Sequence, residues 1–143
     1  MGSSISGVLA EITMQKIEKD IFERCPTEIK LWRRLVDDIL AIVPRDKIEE
    51  TLNFINTINR SIQFEYETEE NGMLPFLDLQ ILRTTAQDLK FKVHRKPTHK
   101  DIYLNADSNN PVAHKQAVIR SLVNRAYDLC SPEYVEEELG NIK

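Results

Sequence analysis

At 143 residues, with 41% apolar and 29% charged side chains, the chain has room for one domain, or part of one, with a buried core. A net charge of −4 excludes a uniformly basic nucleic-acid binder but leaves room for a local basic patch. Cys25 and Cys130 lack CxxC spacing and give no disulfide framework, and no apolar run is long enough for a membrane span or signal peptide. An intracellular location, nuclear or cytoplasmic, is therefore expected. Met1 runs straight into Gly-Ser-Ser-Ile-Ser-Gly with no lead-in to the first helix, which is the start expected of a fragment.

In chain order, Ile5, Val8, Leu9 and Ile12 recur at helical spacing, and Ile17 and Ile21 continue that face. This predicts a helix from about Ser6 to Arg24, ended by Cys25-Pro26-Thr27. The glycine and serines before it either cradle an anion or serve as a flexible cap. Between Lys30 and Val43, two short β-prone runs flank Asp37-Asp38, the pattern of a hairpin with acids at its turn. Aspartate is common in turns, which is the plain explanation. The sharper one is a hard-cation site, because Mg²⁺ is held by one or two carboxylates together with substrate phosphates.

Asp46 is the expected N-cap of a second helix reaching Ile58, with Ile48, Leu52, Ile55 and Ile58 on one face. Ile62, Phe64 and Tyr66 alternate with polar residues as a half-buried strand would, and Asn71-Gly72 signals a turn. Leu77, Leu79 and Ile81 form the next alternation. Leu89, Phe91 and Val93 return antiparallel after a turn near Thr85 to Asp88. The implied fold class is α+β, an antiparallel sheet with helices on one face, followed by a C-terminal helical pair.

From residue 90 the charge changes sign. Between residues 90 and 125, Lys90, Lys92, Arg95, Lys96, Lys100, Lys115, Arg120 and Arg125 are opposed only by Asp101 and Asp107, a local excess of +6. Such a stretch is either a phosphate-backbone footprint or a solvated basic face. Asn110-Pro111 then starts a helix, with Asn110 as cap and Val118, Leu122, Ala126 and Leu129 facing inward, and Ser131-Pro132 starts a last short one. Two helices across a tight turn are a helix-turn-helix reader or a plain packing unit. His94 and His99 straddle Pro97 without a cysteine pair, which argues against zinc, and neither a P-loop nor a nucleophile elbow is present.

Taken together, four ordered segments resemble the palm of reverse transcriptases, most closely the Penelope-like retroelement group. Met1 to Ile12 resembles the loop and helix that contact template and nucleotide, which points to Gly2, Ser3 and Ser6. Leu35-Val36-Asp37-Asp38 resembles the metal-binding aromatic-x-Asp-Asp signature, with Leu35 in place of the usual aromatic residue. Leu74, Pro75, Phe76 and Leu77, followed by Asp78, resemble the lead into the primer-grip hairpin, and His94 to Leu104 resembles the passage into the thumb. Prolines usual in the family are replaced by Ser4 and Gly7.

The resemblance implies a partial palm over residues 1–96 and a thumb-like, helix-turn-helix-like segment over 97–143. It also implies RNA-directed DNA polymerase chemistry with Mg²⁺ held by Asp37 and Asp38. An RNA template, a DNA primer and deoxynucleoside triphosphates would be the partners, with nucleic-acid contacts at Arg95, Lys96, Lys100, Lys115, Arg120 and Arg125. The family's other catalytic aspartate belongs to a strand upstream of residue 1, so the isolated chain is expected to be inactive. The alternative is a non-catalytic nucleic-acid-binding remnant.

Overall fold

A computed structural model describes residues 5–86, 88–96, 98, 104–105 and 107–142. The fold is α+β, with four helices, two small antiparallel sheets and a C-terminal helical pair. The chain divides into two compact units, residues 1–67 and 68–143.

In the first unit, α1 spans Ser6–Arg24 and stops where Cys25 turns extended, as a residue before proline prefers. A hairpin of β1 (Leu31–Leu35) and β2 (Asp38–Ile42) follows, pairing Leu31 with Ile42 and Leu35 with Asp38. A 3₁₀ turn at Arg45–Lys47 leads into α2, Ile48–Ile58. Asp46 lies within that turn and makes no side-chain cap, so the expected N-cap is replaced by the 3₁₀ entry. Ile17, Ile21 and Ile55 form the core, with Met14, Trp32, Phe54 and Phe64 packed against it. Burying a side chain such as Ile21, which is 0% exposed, contributes about 1.5–3 kcal/mol.

Val8, Leu9 and Ile12 fall in α1 as their spacing predicts, and with Ile5 ahead of the helix they are 57–60% exposed. One strand expectation fails here. The alternation from Ile62 to Tyr66 does not make a strand. The side chain of Asn56 takes the place of a partner strand, accepting from the Phe64 amide at 2.7 Å and donating to its carbonyl at 3.0 Å.

In the second unit, β3 (Met73–Phe76), β4 (Leu79–Arg83) and β5 (Leu89–Val93) form a meander in that order. The strands are thus divided between two sheets. The expected strand through Leu77 is interrupted, because Leu77 and Asp78 form the two-residue turn between β3 and β4. The Asn71-Gly72 turn is present, and both its residues have positive φ. Helices α3 (Val112–Leu129) and α4 (Pro132–Asn141) follow. Pro111, one residue after the expected Asn110, holds the cap position of α3, whose inward face buries Ala126. Among the described residues, no helix is long and apolar enough to cross a membrane.

Candidate functional site

The hairpin between β1 and β2 turns at Val36 and Asp37. Val36 is 76% exposed and has φ +58°, a conformation that costs a β-branched residue energy and that turns normally give to glycine or asparagine. Asp37 and Asp38 are exposed, and neither carboxylate has a hydrogen-bond or ion-pair partner among the described residues. Two adjacent hard oxygen donors suit Mg²⁺, an ion that keeps several waters and needs few carboxylates. No group of three or more histidine, cysteine, aspartate or glutamate side chains that could hold a metal ion gathers among the described residues.

Behind this tip, Arg34 on β1 is fixed to α1. Its guanidinium donates to Glu18 at 2.8 Å and to Glu11 at 2.9 and 3.0 Å, and it reaches the Val36 carbonyl at 3.3 Å. The seven-residue spacing of Glu11 and Glu18 puts them two helical turns apart on one face of α1. Trp32 Nε1 donates to the same Glu18 oxygen at 2.9 Å, and its ring meets Phe22 edge-on. The Arg34 side chain is 10% exposed and that of Glu18 16%. Hydrogen bonds from Arg34, then from Gln15, hold Glu11 below the usual carboxylate range. For Glu18, burial pushes upward, but the donors Arg34 and Trp32 outweigh it and the net shift is downward. The bonds to Glu11 and Glu18 in turn raise Arg34.

Among the other expected contacts of the first unit, Ser6 is the exposed first residue of α1, while Gly2 and Ser3 lie outside the described residues. In the second unit Leu74 and Phe76 are half-buried on β3, with Pro75 and Leu77 exposed beside them. Leu77 has φ +55° and is followed by Asp78, the same backbone device as at Val36-Asp37.

The basic stretch is not uniformly available. Lys90 pairs with Glu133 at 3.1 Å, Lys92 with Glu137 at 3.3 Å, and Arg95 with the buried Glu138 at 2.7 Å. Three of the eight bases therefore pair with α4, Lys90 and Lys92 from β5 and Arg95 from just beyond it. Lys92 also sits 4.6 Å above the Tyr134 ring. Ser131, expected only as a helix start, accepts from the Phe91 amide through Oγ at 2.9 Å and donates its own amide to the Phe91 carbonyl at 2.8 Å. Helix α4 contains four glutamates and no lysine or arginine, which makes it a poor element to lay against phosphates.

Cationic side chains reach the surface elsewhere. Lys96 is exposed, Lys115 donates to the Ser108 carbonyl at 2.6 Å, and Lys100 lies outside the described residues. Arg120 and Arg125 stand on α3 beside an open cleft of about 520 Å³. Ser121, Asn124 and Asp128 of the same helix line it, with Asp78 from the β3–β4 turn. Arg125 Nε is buried with no hydrogen-bond partner, a state that costs about 1–3 kcal/mol or more for a charged donor. The basic residues were legible in the sequence, and Asp78 was named there only as the end of the primer-grip-like segment; Ser121, Asn124 and Asp128 carried no signal, nor did the Glu11–Arg34–Glu18 clasp.

Neither a curated protein nor a solved structure matches the chain. Residues 102–143, which include α3 and α4, match the family model of the animal helix-turn-helix domain, so the C-terminal segment is similar to that domain.

Proposed function

We propose that the second unit binds nucleic acid and that α3 makes the principal contacts. The observation that carries this reading is the similarity of residues 102–143 to a helix-turn-helix domain. Charge decides between the two helices. The glutamates of α4 pair with Lys90, Lys92 and Arg95 or add negative charge, whereas α3 brings Arg120 and Arg125 to a surface cleft. Phosphate contacts by lysine and arginine supply most of the affinity of such binding and make it fall with salt. The measurement is duplex binding by fluorescence anisotropy at several salt concentrations. Arg120→Ala and Lys96→Ala should weaken binding and lower the salt slope by about one each, while Asp37→Ala leaves it unchanged. An affinity indifferent to Arg120 and Lys96 would refute the assignment.

A second reading is favoured by the first hairpin. A strained turn that exposes two unpartnered carboxylates is the kind of place where backbone strain accompanies function. We propose that it is the Asp-Asp element of a Penelope-like reverse transcriptase, on the strength of the four ordered sequence segments. Asp37 and Asp38 would then hold Mg²⁺, with RNA template, DNA primer and deoxynucleoside triphosphates as partners, in the nucleus or cytoplasm. Two-metal phosphoryl transfer needs a further carboxylate, which the resemblance assigns to a strand before residue 1. Mapping the 5′ end of the transcript tests this: a frame continuing upstream through a strand with another aspartate supports it, and initiation at Met1 rules it out.

A further inference from the structure

The α3 cleft contains four charged side chains, two of each sign, and none of them is engaged. Among the described residues, Arg120, Arg125 and Asp128 have no hydrogen-bond or ion-pair partner, and Asp78 uses only its backbone carbonyl, toward the His94 amide at 2.7 Å. Positions 120, 121, 124, 125 and 128 share one face of α3 over two turns. The cleft therefore offers two guanidinium forks, a hydroxyl and a carboxamide, together with two carboxylates that only accept.

A cleft with two positive and two negative groups exerts little long-range pull on a polyanion. What it selects is a ligand that carries acceptors and a donor a few ångströms apart. Phosphodiester oxygens match the planar guanidinium fork. A donor beside them is found in RNA, whose 2′-hydroxyl both donates and accepts, and is missing from the sugar of DNA.

We infer that this cleft is a ribonucleotide-binding site that discriminates RNA from DNA, with phosphate on Arg120 and Arg125 and the ribose hydroxyl donating to Asp128 or Asp78. The inference rests on the nucleic-acid-binding reading above.

The test uses the full 143-residue chain and two fluorescein-labelled single-stranded 12-mers of one sequence, RNA and DNA, read by fluorescence anisotropy. The unmodified chain should bind RNA about tenfold more tightly than DNA, the factor that one hydrogen bond to a charged group supplies. Arg120→Ala and Arg125→Lys should weaken both oligonucleotides. Asp78→Asn and Asp128→Asn should bring the RNA-to-DNA ratio toward one without weakening DNA. Because Asp78 and Asp128 are exposed, their variants keep the test valid if an Arg125 variant fails to fold. Equal affinity for RNA and DNA, or a ratio unmoved by both asparagine variants, overturns the cleft assignment while nucleic-acid binding stands. No binding to either oligonucleotide also overturns the cleft assignment, and the duplex titration above then decides nucleic-acid binding separately.

Discussion

In each of two hairpins, at Val36-Asp37 and at Leu77-Asp78, a bulky apolar residue holds positive φ and an aspartate follows it. The surroundings differ. The first tip is braced from behind by Arg34, whose guanidinium is committed to Glu11, Glu18 and the Val36 carbonyl, and its aspartates face solvent. The second lies beside α3, where Arg120 and Arg125 are uncommitted. One local backbone solution thus serves two chemistries, and the partnering of the nearest arginine separates them. A satisfied arginine is part of the scaffold; an unsatisfied one is available to a ligand.

The largest way to break this contrast is Arg34→Ala. It leaves the largely buried Glu18 without its cation and releases the Val36 carbonyl, and should cost about 2 kcal/mol. Trp32, the single tryptophan, donates to the same carboxylate and reports the loss as a lower urea midpoint by fluorescence. An unmoved midpoint would mean that the tip stands on its own strands. The same clasp sets an acid limit. Glu11 and Glu18 titrate lower in the folded chain than unfolded, so their contribution is complete above the ordinary glutamate range near ~4.3. It is lost as pH falls through the lowered values, and the Arg34→Ala variant should lack that component of the acid transition.

Strain relief gives a smaller effect of opposite sign. Val36→Gly and Leu77→Gly should each stabilise by up to about 1 kcal/mol, with the β-branched Val36 gaining more. Thermal unfolding reads this directly, and a loss of stability in either variant would show that its apolar side chain does more than endure the turn. The smallest expected change is at β5. Lys92 is about one-third exposed in its pair with Glu137, so Lys92→Ala should cost less than about 1 kcal/mol and cost less still in high salt. A larger, salt-insensitive loss would locate the energy in the contact with the Tyr134 ring.

Much of the fold was legible because its signals are local. Cys25-Pro26 marks the end of α1, and the alternation around Asp37-Asp38 marks the first hairpin. The turn at Leu77 escaped because leucine at positive φ contradicts ordinary turn chemistry. The segment around Phe64 misled because its partner is one asparagine side chain eight residues earlier. In the candidate sites, the Asp-Asp pair and the basic stretch were visible as residue types. Which bases α4 consumes and which remain free depends on pairing across about forty residues, which composition does not encode.

The two bonds between Ser131 and Phe91 bear on more than the placement of α4. β5 is a border strand of its sheet, and a border strand offers its amides and carbonyls to any other extended chain. At its midpoint those groups are already taken by Ser131, while the opposite border, β3, carries Pro75, which has no amide to offer. Both margins of the three-stranded sheet are thus blunted against strand addition. Self-association through this sheet is discouraged by a serine at one margin and a proline at the other.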